Sequence, residues 1–137
     1  LPLYGNDITD DTTPLEAGLG WTVKLKAGDF IGKDALLAQK REGLKRKLVC
    51  LQMTTKGIAR HGHALHAAAE SEGDAPALGE RVGEVTSGTK SPTLGKAIAL
   101  GYVPKAMAKL GTTLCAEVRG KAIACEVIKG PFYKRPA

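Results

Sequence analysis

From Lys45 onward the chain alternates apolar and polar side chains with a period of two, the spacing of half-buried strands. Six short candidate strands follow: 48–53, 57–65, 80–86, 96–103, 113–119 and 122–129, parted by Gly, Pro, Ser and Thr clusters. Arg119-Gly120-Lys121 is a tight hairpin signal between the last two. Residues 66–79, rich in Ala, Glu and Gly, read as a surface excursion between strands. Ahead of this region the period differs. Residues 32–42 are mostly good helix formers, with Asp34 near the start, Lys40 and Arg41 near the end, and Gly43 where a helix stops. Residues 18–25, centred on Trp21, alternate as one more short strand, and the preceding stretch from Asn6 to Pro14 is polar and turn-rich. One helix followed by several short strands predicts a mainly β chain, a small six-stranded Greek-key-like β-barrel. Residues 1–30 are expected to be the end of a preceding domain, and 31–137 the barrel domain.

Composition narrows this picture only a little. The 137 residues are 43% hydrophobic and 25% charged, enough for one domain with a real core. No apolar run approaches the ~20 residues of a membrane-spanning helix. No leader marks the chain for export, and the start at Leu1 without Met suggests a piece of something longer. Cys50, Cys115 and Cys125 are odd in number, widely spaced and set in apolar segments, so buried reduced thiols are expected rather than disulfides or zinc. A formal charge of +6 admits an anionic partner, while 4% aromatic residues argues against a base-stacking surface.

Candidate chemistry is sparse. On an extended 57–65 strand, His61 and His63 would share a face, but His66 has the opposite parity and Glu70 lies in the loop beyond. With no fourth ligand evident, no metal is expected, and the histidines read as polar residues on a half-exposed strand. The run from Gly83 to Ser91 is a near miss to a phosphate-cradling loop, because Thr89 separates Gly88 from Lys90 and Pro92 follows. It reads as strand–turn–strand, with Gly88 and Gly95 supplying turn conformations. Lys40, Arg41, Lys45, Arg46 and Lys47 form a basic cluster suited to solvent, a polyanion or an acidic protein. No nucleophile–base pair stands out, so no catalytic residue is assigned. By themselves these residues support a soluble, mostly-β domain with a basic surface.

Four segments taken in order are more particular. They are Tyr4-Gly5-Asn6-Asp7-Ile8 with Thr12-Thr13-Pro14-Leu15-Glu16-Ala17 and Gly20-Trp21-Thr22; Asp29-Phe30-Ile31-Gly32-Lys33; Gly83 to Thr89 with Ser91 to Gly95 and Ile98 to Val103; and the close from Gly130 to Arg135. The series resembles the glycine cleavage T proteins, folate-dependent aminomethyltransferases, over almost the whole chain. That resemblance implies a three-domain enzyme around a central folate cavity, with its key aspartate in an N-terminal region outside this chain. It implies transfer of the methylene of an aminomethyl group, carried on the lipoyl arm of H protein, to tetrahydrofolate with release of ammonia. Catalysis would then rest on orientation and charge stabilisation, the barrel supplying a wall of the cavity.

On that reading Trp21 is the first candidate for the wall, its indole suiting a flat heteroaromatic ring. Arg60 and Arg135 could meet the glutamate carboxylates of folate, and Tyr133 could add a hydroxyl contact. Asn6 and Asp7 are expected to hold a turn or domain junction through side-chain-to-backbone hydrogen bonds. The chain alone is expected to be inactive, and a bacterial cytoplasmic location is favoured. The alternatives are a folate- or carrier-binding barrel module of a sarcosine or dimethylglycine dehydrogenase type of enzyme, and a basic nucleic-acid-binding barrel; specific nucleic acid and membrane partners are not expected.

Overall fold

A computed structural model describes residues 2–69 and 75–135. Six strands carry the fold: β1 (Arg46–Met53), β2 (Ala64–Ala69), β3 (Ala77–Lys90), β4 (Ala97–Pro104), β5 (Thr113–Val118) and β6 (Lys121–Ile128). All their pairings are antiparallel, and the sheet closes in the order β1-β4-β3-β2-β5-β6. Consecutive hairpins join β2, β3 and β4, and β1 returns beside β4, which is the Greek-key arrangement. Closure leaves no strand edge unpaired around the barrel. The expected mainly β, six-stranded barrel with one helix is what the chain forms.

Period-two patterning explains the interior. Val49, Leu51 and Met53 of β1 face Ile123, Cys125 and Val127 of β6, with Leu65, Val85, Ala99, Val103, Leu114 and Ala116 closing the core. Leu51, Leu65, Val85 and Leu114 are fully buried. Between β5 and β6, Arg119 (φ 52°) and Gly120 (φ 75°) both adopt left-handed backbone, the two-residue hairpin that the sequence predicts. The helix α1 (Lys33–Glu42) ends on Gly43, whose φ of 91° suits glycine, and buries none of its residues. Among the described residues no helix is long and apolar enough to cross a membrane.

Several expectations need correction. Residues 18–25 are not a strand: Gly20–Thr22 forms a 3-10 turn, because hydrogen bonds run locally from Thr22 N to Leu19 O and Val23 N to Gly20 O. The strand expected at 57–65 begins only at Ala64. Gly62 (φ 84°) and a bond from His63 N to Arg60 O turn the chain before it. Among the described residues, the excursion expected at 66–79 is mostly strand. β2 runs on to Ala69 and β3 starts at Ala77, since pairing of His66 and Ala67 with β5 outweighs alanine's weak strand preference; residues 70–74, including Glu70, lie outside the described residues. β3 also extends to Lys90, so Ser87-Gly88-Thr89 is paired strand rather than turn. Gly95 does turn, at φ 65°.

Candidate functional site

Residues 2–30 wrap the outside of the barrel, and two acidic side chains hold them there. Asp7 is buried and accepts from Leu3 N–H (2.9 Å), the Thr86 hydroxyl (2.5 Å) and the Ser87 hydroxyl (2.7 Å). The Asp7 carbonyl accepts from the Tyr102 hydroxyl at 2.9 Å. Burial pushes the Tyr102 hydroxyl above its ordinary pKa, which keeps it a donor. Thus three neutral donors, one on the chain start and two on β3, satisfy a carboxylate that no cation contacts among the described residues. The expected side-chain-to-backbone bond of Asp7 is present at Leu3, although its other side-chain partners are hydroxyls of the barrel.

Glu16 makes the second attachment. Its Oε1 accepts from Arg46 Nε (3.2 Å), its Oε2 accepts from Thr13 N–H (3.0 Å), and its carbonyl accepts from Leu48 N–H of β1 (2.9 Å). Arg46 Nη2 also donates to the Asp11 carbonyl at 2.8 Å, and the guanidinium sits 5.0 Å from the Tyr102 ring centroid. Asp7, Tyr102, Arg46 and Glu16 therefore form one connected series. Thr13 Oγ1 donates to Gln39 Oε1 (2.7 Å), which brings α1 into it. Beside the series lies a polar cleft of about 570 Å³ lined by Asn6, Lys45, His61 and Arg81 among others.

On another face of the wrapping segment, Trp21 is 77% exposed. Its indole borders a hollow of about 420 Å³ with Pro2, Leu48, Cys50, Leu100 and Phe132. Leu100 and Phe132 also border a neighbouring hollow of about 320 Å³ with Ser87, Gly88 and Thr89. Arg60 lies in the loop before β2, not on a strand, and its Nη1 donates to the Gly88 carbonyl at 3.0 Å. Gly88 allows the approach, because a Cβ there would stand 2.2 Å from the Ala59 carbonyl oxygen. Trp21 thus borders the first of two adjoining hollows, while Arg60 lines neither and reaches only Gly88, which borders the second. Tyr133, 51% exposed, and Arg135, also exposed, follow Phe132 in the chain but line neither hollow.

The other candidate groups disperse. His61 Nδ1 meets the Thr86 carbonyl, His63 Nδ1 accepts from Arg60 N–H, and His66 bridges the Gly79 carbonyl and Glu117 Oε2. With His61 and His63 in a turn rather than a strand, the shared face assumed for them does not exist. Burial raises the pKa of all three thiols, Cys125 to about 12, so they remain protonated and poorly nucleophilic. Sequence reasoning missed Glu16, Thr86, Ser87 and Tyr102, and read Arg46 only as one charge in a cluster. The available signal was Glu16 itself, an acid between Leu15 and Ala17 in an apolar stretch.

A family model described as the glycine cleavage T-protein C-terminal barrel domain matches residues 46–134. An aminomethyltransferase of Rippkaea orientalis is 53% identical over 137 residues, covering 98% of this chain and 34% of the relative. One from Desulfitobacterium hafniense is 50% identical over 135 residues, covering 98% and 34%. The crystal structure of glycine cleavage system aminomethyltransferase T from Bartonella henselae superimposes with a TM-score of 0.83 at 39% identity, covering 97% of this chain and 35% of that one. The chain spans about a third of the length of the relatives it matches.

Proposed function

We propose a function from one premise: the chain belongs to the glycine cleavage T-protein family. It is the C-terminal part of an aminomethyltransferase that moves the methylene of the aminomethyl group on lipoylated H protein to tetrahydrofolate, releasing ammonia. Residues 1–30 end the preceding domain and 31–137 form the barrel domain, in a bacterial cytoplasmic enzyme. The observation that carries this reading is the exposure of Trp21, Leu3, Tyr4 and Phe30 on a segment otherwise pinned to the barrel. Apolar side chains held outward by a rigid support suit a surface covered by ligand or by further protein.

Trp21 supplies a flat apolar wall against the heteroaromatic ring of folate. Arg60 and Arg135 supply cations for the glutamate carboxylates, and Tyr133 a hydroxyl. Arg60 already donates to Gly88, so its remaining guanidinium N–H groups would serve the ligand. None of these side chains is an acid or base suited to the proton transfers. The chain's contribution is to shape and orient, which needs the other side of the cavity as well. Purified chain supplied with tetrahydrofolate and loaded H protein is therefore expected to show no ammonia release, while the polypeptide extended through the preceding domains turns over. Turnover by the chain alone at the rate of the extended enzyme would overturn the reading.

A further inference from the structure

We propose that the Glu16–Arg46 pair is the device that positions Trp21, making Arg46 a positioning residue for the ligand wall; the ligand half of this statement rests on the folate reading above. The indole makes no hydrogen bond among the described residues, and the 3-10 turn that carries it buries none of its three residues. Trp21 is thus placed by its backbone.

That backbone is a continuous ladder of turn bonds. Ala17 N donates to Thr13 O, Leu19 N to Pro14 O, Thr22 N to Leu19 O and Val23 N to Gly20 O, over 2.8–3.2 Å. Gly20 packs so closely that an added Cβ would lie 3.1 Å from Leu15 Cδ2. Trp21 therefore follows the ladder wherever the ladder is fixed.

The ladder is fixed to the barrel at Glu16. The Leu48 N–H takes its carbonyl and the Arg46 guanidinium takes its carboxylate, while the other carboxylate oxygen holds Thr13 N–H at the foot of the ladder. Only a guanidinium can do this work, because its fixed fork of donors reaches Glu16 and the Asp11 carbonyl together while its face lies against Tyr102. A lysine ammonium has no such plane. Glu16 is 8% exposed, so removing its cation strands a buried carboxylate and frees the ladder to move.

The chain holds a single tryptophan, so its fluorescence reports this position directly. Time-resolved anisotropy of the purified chain is expected to show at least about a twofold larger sub-nanosecond component in Arg46→Gln. Arg46→Lys should fall between, and Arg119→Gln, which loses the same charge elsewhere, should match the parent. Far-UV circular dichroism and the melting curve establish that the barrel persists. Should Arg46→Gln fail to fold, Glu16→Gln keeps an acceptor for Thr13 N–H and turns its amide nitrogen onto Arg46 Nε, which breaks the ion pair, with the same direction expected. Unchanged Trp21 mobility in the folded variants overturns the proposal.

In the extended enzyme, Trp21→Ala and Arg46→Gln are both expected to raise KM for tetrahydrofolate about three- to tenfold with little change in kcat. If mobility rises but neither KM moves, the positioning stands and the folate reading falls. If Trp21→Ala raises KM and Arg46→Gln does not, the positioning proposal falls.

Discussion

The barrel and the segment wrapped around it are held by different forces. Inside the barrel, thirteen buried side chains from the six strands and the loop before β2 make one contiguous apolar cluster. The wrapping segment over residues 2–30 buries little of its own beyond Ala17, Asp7 and Glu16, and leaves Leu3, Tyr4, Trp21 and Phe30 exposed. Burial of apolar area is non-directional and additive, so the barrel is stable in proportion to what its strands hide. Hydrogen bonds are directional and individually modest, so the segment is held at a few points and in one orientation. A surface that must present side chains in fixed places gains from the second kind of attachment.

The first way to break this contrast is to damage the barrel. Leu51 is fully buried at the centre of β1, and Leu51→Ala is expected to cost about 3–4 kcal/mol. Because the segment has no core of its own, Trp21 fluorescence and far-UV circular dichroism should then melt together at a lower temperature. Loss of the Trp21 signal well after the strands have melted would mean that the segment is stable alone.

A smaller change separates the two regions from the other side. In Asp7→Asn the amide oxygen can keep the Thr86 and Ser87 hydroxyls, but the amide nitrogen then faces the Leu3 N–H, and two donors oppose each other. The expected cost is about 1–2 kcal/mol, confined to the segment. Hydrogen exchange should quicken by about five- to thirtyfold at the Leu3, Asp7 and Ile8 amides, while Leu51 and Val85 keep their protection. Equal acceleration in the barrel would show that segment and barrel open as one unit.

The same contrast decides what the sequence could reveal. Period-two alternation is a record of burial, so β1, β4, β5 and β6 were legible to within two residues at each end. Where strand extent depends on pairing rather than on side-chain pattern, as in the alanines of β2 and in Ser87-Gly88-Thr89 of β3, it was misread. Gly88 looked like a turn residue and is in fact a strand position where the Ala59 carbonyl comes too near for any Cβ. The polar attachments were less visible still. The bonds from Asp7 to Thr86 and Ser87 span 79 and 80 positions in the chain, and no local pattern records such a distance. Trp21 was singled out by its chemistry, although the strand assigned to it was wrong.

The smallest effect expected concerns a place where local sequence and fold disagree. Arg119 takes a φ of 52° in the β5–β6 turn, a left-handed conformation that costs most side chains and suits asparagine well, while Gly120 beside it pays nothing for its φ of 75°. The hairpin tolerates Arg119 because six paired residues on each side fix the turn length. Arg119→Asn is expected to stabilise the chain by about 0.5 kcal/mol, seen as a rise in the denaturant midpoint at constant slope. The gain belongs to the barrel alone, so exchange at Leu3 and Ile8, which opens locally, should stay as it was. Protection there rising in step with the barrel would place the segment inside the barrel's cooperative unit, and the division between apolar and polar attachment would then describe forces without describing separate openings.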